Sequence, residues 1–496
     1  MTTRVLRVFV AGISYAAVLG ALGACTSLLG TFDTAKGEVS ASSGAGASQA
    51  GGGGAGGSIG SGGSGGGVAG LPFDCHWTNK FHQAFGVAGD TSVQREEIRV
   101  VPRPGGARPR LLTSELNQST SSRKLGIYST ESGSGIFVDG MYRLLDVQRL
   151  GDSSVGVFAT YYDQQLQRLG LMMLVVPDAP EQLAVESVVA VKLVEANGWP
   201  ADSVPDKSGR FSGRFVVTTP ASSGNTIWGV NYVASYKSTT GQYIATFGQS
   251  VAGSPPKRLF MMTPAGYGTS ENDNELAGLL HVPKESAPTG KDTDYVFLGQ
   301  TIQGGKAGEF TVTATTSGQV TPREFTDGVL VGAVVRPDGF NAAFASFDSN
   351  NVTLRTHKLP FAALGKFTNN DVPVTVSFEG FGYLPVGQAS VGWLGDLFTF
   401  VGGTAQAPGS PLGYALFDAD SKERGHGALP FTATLPAGVA RTGLNSVAVA
   451  DGFSVQPNLI RTFEVAWLDG QKKDASAPTS ILYYDRLECF AQGNQP

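Results

Sequence analysis

Over most of its length the chain alternates apolar and polar residues in short runs. Ser154 to Tyr162, Ile227 to Tyr236, Asn341 to Phe347, Val391 to Val401, Pro411 to Phe417 and Thr462 to Leu468 are rich in Val, Phe, Tyr, Trp and Ala. Gly, Asp, Asn, Ser and Pro bound them, the composition of strands joined by turns. Asp338-Gly339 and Asp451-Gly452 read as compact turns between such runs. The segment Pro180 to Gly198 fits a helix or a strand, and its valine density favours the strand. Long Ala/Leu/Glu/Lys segments with helical period are missing, so an all-β fold is expected.

Four of these apolar stretches, and a further one over Ile481 to Tyr484, end on an aromatic residue: Tyr162, Tyr236, Phe347, Phe417 and Tyr484. Asp163, Asp348, Asp418 and Asp485 follow four of them, and Lys237 follows the other. The aromatics are 74, 111, 70 and 67 residues apart, and the longest gap has room for a degenerate copy. Sequence repetition on this scale, with several strands per unit, predicts a β-propeller with the aromatic at one fixed place in each blade. Seven blades fit residues 75–490, and six are possible; tandem β-sandwiches are the alternative. An Asp closing a strand holds its own turn through a side-chain oxygen, which makes the repeated Asp structural. The other reading is a ring of carboxylates around a central funnel, suited to acid–base work on glycans.

The N-terminus follows different rules. Arg4 and Arg7 precede an uncharged apolar run, Val8 to Ala24, that ends in Leu22-Gly23-Ala24-Cys25. A basic start, an apolar middle and small residues before the cut describe a secretory signal peptide. The Leu-small-small-Cys ending resembles the lipobox of bacterial lipoproteins. That resemblance implies cleavage before Cys25, a lipid on Cys25 and attachment to a membrane through that lipid. Thr26 stands where an aspartate retains many such proteins at the inner membrane, so an outer-membrane address is implied.

From Val39 to Phe73 no residue is charged, and Ser40 to Gly70 is almost wholly Gly, Ser and Ala. Such a segment buries too little apolar surface to order and behaves as a flexible tether. Its typical span is roughly 35–40 Å. The Gly62-Gly63-Ser64-Gly65-Gly66 match to a nucleophile elbow is an accident of composition, because no strand precedes it and no helix follows. The expected organisation is a signal peptide over 1–24, a lipidated tether over 25–70 and a propeller-like domain over 71–496.

With Cys25 lipidated, Cys75 and Cys489 remain, one at each end of the folded region. In an oxidising compartment two leftover cysteines pair, and such a bond would lock the seam of a ring. Formal charge is −5 for the whole chain and −7 without residues 1–24, which carry two arginines and no acid. This mild acidity without basic runs argues against a nucleic-acid partner.

Catalytic chemistry leaves little trace. None of His76, His82, His281, His357 and His426 belongs to a zinc or nucleophile–base pattern. Asp74 and His76, with His82 near, lie at strand spacing that could share a metal, though a plain surface is the expected state. Asp418, Asp420 and Glu423 crowd one turn as calcium loops do, without that pattern's glycine and further acid. Cys75-His76 lacks the partner cysteine of a haem site. Trp228, Trp393 and Trp467 are expected in the core. No metal and no cofactor are expected. The sequence therefore points to a lipid-anchored envelope protein whose propeller recognises a protein or a polysaccharide. An envelope glycan or peptide hydrolase or lyase, with a site spread over several blades, is the alternative.

Overall fold

Alternating β-branched and aromatic residues build antiparallel meanders here, each strand bonded to the next in sequence. The computed structural model describes residues 72–492 apart from parts of the connections, and over 251–390 it gives strand paths and pairing only. Two short strands open the domain, β1 (Phe73–Trp77) and β2 (Gln83–Phe85). The first meander is β3 (Val93–Val101), β4 (Arg110–Asn117), β5 (Ser122–Ser129) and β6 (Gly135–Asp139). The second is β7 (Met141–Arg149), β8 (Ser154–Asp163), β9 (Arg168–Pro177) and β10 (Val189–Val194). The third is β11 (Phe211–Thr218), β12 (Gly229–Lys237), β13 (Tyr243–Val251) and β14 (Lys257–Met262). The fourth is β15 (Glu275–His281), β16 (Asp294–Gln300), β17 (Ala307–Thr313) and β18 (Arg323–Phe325). The fifth is β19 (Val329–Arg336), β20 (Gly339–Phe347), β21 (Asn351–Pro360) and β22 (Val374–Glu379). The sixth is β23 (Ala389–Leu394), β24 (Leu397–Gly402), β25 (Leu412–Phe417) and β26 (Glu423–Leu429). The last sheet takes β27 (Val439–Asp451), β28 (Ile460–Lys473) and β29 (Thr479–Ala491) from the C-terminal end, and β1 as its outer strand.

The first strand of each meander neighbours the first strand of the next, from β3 through β7, β11, β15, β19 and β23 to β27, and β27 returns to β3. This closed ring of radial sheets is a β-propeller, and it excludes tandem sandwiches. Apolar side chains fill the gaps between sheets. Leu112, Ile127, Val147, Val157 and Met172 pack the first sheet against the second. Phe158, Met173, Phe215, Tyr232 and Tyr236 pack the second against the third.

Ring closure falls to the N-terminal strands. β1 runs antiparallel to β29 with Cys75 opposite Cys489, and these two form a disulfide. β2 adds to the same strand, and the Tyr414 hydroxyl accepts the Cys75 amide at 3.0 Å. Phe73, Cys75 and Trp77 face inward, alternating with the outward Asp74 and His76.

Two sequence expectations change. Val391 to Val401 is not one strand: β23 and β24 form a hairpin with Leu394 opposite Leu397. The intervening Gly395-Asp396 carries the two-residue turn chemistry that makes such a hairpin. The aromatic-Asp motif also lacks a single place in the repeat. Tyr162, Tyr236 and Phe347 lie at or next to the ends of second strands, whereas Phe417 ends a third strand and Tyr484 sits inside one. The spacing misled because the same aromatic-then-turn chemistry suits either strand end. For Pro180 to Gly198 the structure gives a strand over Val189–Val194, followed by a short 3-10 turn at Ala201–Ser203.

One cross-strand contact recurs, on second or third strands. Tyr128, Tyr161, Tyr232 and Tyr414 each stand opposite a glycine on the next strand: Gly135, Gly170, Gly248 and Gly427. A methyl group on any of these glycines would lie within 2.9 Å of the tyrosine facing it. The tyrosine ring takes the place of the missing side chain at each of these four positions.

Candidate functional site

The first strand of each meander has a hydrogen-bonding neighbour on one side only, so its axial edge needs other partners. Between the first three sheets, side chains from adjacent inner strands supply them. Glu97 on β3 accepts the Leu144 amide of β7 at 2.9 Å, and Arg99 donates to the Leu145 carbonyl at 2.9 Å. One sheet further round, Asp146 on β7 accepts the Phe215 amide of β11 at 3.1 Å, and Gln148 donates to the Phe215 carbonyl. Arg214 of β11 reaches back to the Leu145 carbonyl at 3.1 Å. Bulges between Arg95 and Glu97, and between Leu144 and Asp146, set which neighbour each side chain meets. Before its bulge β3 faces the last sheet: Arg95 bonds Glu115, Tyr128 and the Ser480 carbonyl. After it, Glu97 and Arg99 face β7.

Asp146 is fully buried, and this burial pushes its carboxyl above the ordinary carboxylate range, with Arg214 and Arg99 pulling it partly back. The folded state therefore holds this proton more tightly than the unfolded chain. The stabilisation is complete below the unfolded value of about 3.9 and is lost as pH rises through the raised folded value. Asp146→Asn keeps an acceptor for Phe215 but cannot ionise. Relative to this variant, the wild type is expected to lose stability as pH rises from about 4, by at most ~1.4 kcal/mol per unit. Denaturant unfolding of both proteins across that range checks it; a pH-independent difference would refute the assignment.

A second polar cluster lies where inner strands end. Asp178, after β9, receives Arg110 Nε at 3.0 Å, Arg103 Nε at 3.1 Å and Arg149 Nη1 at 2.8 Å. Its side chain is only 2% exposed, and those of the arginines 4%, 8% and 11% in the same order. Arg103 Nη1 also lies 2.9 Å from Glu131 Oε2, whose side chain is 38% exposed on the turn after β5. Next to it, Arg108 donates to the Thr130 carbonyl at 2.9 Å. Three arginines thus meet Asp178, and one of them, Arg103, also meets Glu131.

The residues singled out in the sequence are dispersed. Asp163 accepts the Gln165 and Leu166 amides, and Asp418 accepts the Lys422 amide, so both hold turns. These two turns follow a second and a third strand, which run in opposite directions, so their carboxylates lie at opposite ends of the ring's sheets. Asp485 is not at a turn at all: it is buried within β29 and accepts Thr78 Oγ1 at 3.1 Å. Tyr236, Phe417 and Tyr484 are buried; Tyr162 is partly so and packs beside the core between the second and third sheets. Asp74 accepts the Tyr414 hydroxyl, and His76 stacks on Phe490. Glu423 pairs with His426. Trp467 is core, stacked between Trp77 and Tyr483. Phe347, His281, His357 and Trp393 fall on strands described by backbone alone; Cys25, His82, Trp228, Asp348 and Asp420 lie outside the described residues.

Neither polar cluster could be read as a motif. Glu97 and Leu144 are 47 positions apart, Asp146 and Phe215 are 69 apart, and Arg103 and Asp178 are 75 apart. The ring geometry alone brings them together. The available signal was three arginines in the eight residues from Arg103 to Arg110.

No family model and no curated protein matches the chain. Solved structures resemble it in outline only. They include a subtype N11 neuraminidase-like protein of A/flat-faced bat/Peru/033/2010, at 8% identity and TM-score 0.36, covering 86% of this chain and 95% of that one. The β-propeller domain of the Trilobed protease from Pyrococcus furiosus gives 8% identity and TM-score 0.36, covering 80% and 94%. The Dos1 propeller gives 10% identity and TM-score 0.34, covering 82% and 96%.

Proposed function

We propose that this protein is a lipid-anchored recognition scaffold of the bacterial cell envelope, its propeller displayed on the Gly/Ser tether to bind a protein or a polysaccharide. The Cys75–Cys489 disulfide is the observation that carries the reading. Such a bond persists in oxidising compartments. It therefore supports export, as the basic and apolar start and the Leu22-Gly23-Ala24-Cys25 ending do from the sequence. In the lipoprotein pattern Cys25 carries the anchor and Thr26 directs the protein to the outer membrane. Recognition is favoured over hydrolysis by the use made of the described acids near the axis. Glu97 and Asp146 are engaged by backbone amides, as structural carboxylates are.

The test uses the detergent-solubilised full chain as bait against envelope proteins and isolated envelope polysaccharides. Stoichiometric retention of one unaltered component is expected, together with release of a Cys25→Ala variant from the membrane fraction. A pool that is chemically altered but not retained would replace this reading with an envelope hydrolase or lyase.

A further inference from the structure

We infer that lipid attachment at Cys25 precedes the Cys75–Cys489 bond and acts for it as a protecting group, withholding a thiol that would otherwise capture Cys75. This rests on the lipid-anchored reading above and adds an order of maturation to it. An exported chain brings its three cysteines, Cys25, Cys75 and Cys489, into a compartment that oxidises thiols. Chain statistics there favour the wrong pair. In the reduced, unfolded chain Cys25 and Cys75 are 50 positions apart, whereas Cys75 and Cys489 are separated by 414. Closure falls as the three-halves power of loop length, so Cys25 meets Cys75 roughly 20-fold more often than Cys489 does. Chain growth acts in the same direction, since Cys489 is made last.

The fold shows what the wrong pair would block. Cys75 and Cys489 face each other across β1 and β29 and are 5% and 0% exposed. Cys75 points inward with Phe73 and Trp77, into an apolar cluster that includes Tyr414, Trp467 and Leu487. A disulfide holds its two Cα atoms within roughly 7 Å of each other. A Cys25–Cys75 bond would therefore carry the backbone around Cys25 into that packed layer. β1 could not then seat on β29, and the ring would stay open at its seam. Repair requires Cys489 to attack the wrong bond by thiol exchange, a step on the scale of seconds to hours.

Lipid attachment removes the competitor chemically. The Cys25 Sγ loses its proton and gains a bond to a carbon of the lipid, and the lipid's former leaving group departs with the electron pair of the bond that breaks. That sulfur then has no S–H left to oxidise. Cys75 and Cys489 remain to give two protons and two electrons to a disulfide oxidant of the envelope, which is itself reduced to a dithiol.

Leu22→Asp breaks the Leu-small-small-Cys ending but keeps the Cys25 thiol, and it tests the order beside the wild type and a Leu22→Asp/Cys25→Ser double variant. Cells are quenched with acid at intervals after synthesis, free thiols are alkylated, and linked peptides are identified by mass spectrometry. The wild type is expected to show Cys75–Cys489 alone. Leu22→Asp should form Cys25–Cys75 first, in roughly tenfold or greater excess over the native pair at the earliest times. The double variant, which has no thiol at position 25, should return to Cys75–Cys489. If Leu22→Asp blocks export, the two full-length variants are reduced in guanidinium and diluted into detergent with glutathione disulfide, and the same excess is expected. Native pairing in Leu22→Asp at the rate of the double variant overturns the inference. The mass of the wild-type Cys25 peptide separates this failure from that of the anchor. Lipid on Cys25 with native pairing in Leu22→Asp leaves the anchor standing and removes the protecting role. An unmodified Cys25 in the wild type removes the anchor, and the protecting role with it.

Discussion

Replacing Cys75 and Cys489 together with alanine is expected to lower the unfolding free energy by up to about 6 kcal/mol. The two cysteines are separated by 414 positions, so the bond closes nearly the whole folded region into one loop. Loop-closure entropy grows only slowly with length, but at this length it reaches the upper end of what a disulfide supplies. Residual compactness of the unfolded chain brings the observed figure below that ceiling. The bond also sits where the fold most needs it. β1 is an outer strand of five residues, and outer strands fray first. Without the bond, β1 is held by its ladder on β29, by the Tyr414 hydroxyl on the Cys75 amide and by Trp77 stacked on Trp467. Guanidinium unfolding of the oxidised protein, the reduced protein and the double variant measures the effect, with tryptophan emission reporting the Trp77–Trp467 stack. If all three share one midpoint, the ring is closed by non-covalent contacts and the entropic argument fails.

The same bond shows how far the sequence could be read. Three cysteines, one in a lipobox-like ending, left Cys75 and Cys489 to each other, and the structure joins them. The strands around Tyr162, Tyr236 and Phe417 were legible because period-two alternation is a local property. The register between strands is not local. The break between Leu394 and Leu397 is not legible because apolar runs on both sides conceal it. The aromatic-Asp repeat was assigned one place because sequence spacing does not distinguish a second strand from a third. The arginines on Asp178 depend on which sheets become neighbours, which the ring decides, and the tyrosine–glycine pairs depend on the register of single hairpins, which alternation does not reveal. Asp485 shows the limit most clearly. As a residue it matches the turn aspartates, yet it lies buried in β29 against Thr78.

Within that last sheet, the ion pair of Glu464 and Arg486 should behave in opposite ways to single and double replacement. Glu464 is 2% exposed and Arg486 5%, with Nη2 and Nε of the arginine at 2.6 and 3.0 Å from Oε1. The other carboxylate oxygen accepts the Tyr484 hydroxyl at 2.7 Å. Glu464→Leu leaves a guanidinium and a phenol buried without that carboxylate, and is expected to cost about 3–5 kcal/mol. Arg486→Leu leaves the carboxylate behind and should cost a comparable amount. The intact pair is nevertheless a poor source of net stability. Burial is the largest influence on the Glu464 carboxyl and raises its affinity for a proton, whereas Glu464 holds the Arg486 guanidinium in its charged form, so the pair's attraction is spent largely against desolvation of the carboxylate. Replacing both with leucine removes both desolvation costs at once. The Glu464→Leu/Arg486→Leu variant is therefore expected to recover most of the loss, to within about 1–2 kcal/mol of the wild type. A denaturant double-mutant cycle measures the coupling. Additive losses would mean that the two side chains act independently and that Tyr484, rather than the ion pair, sets the cost of each change.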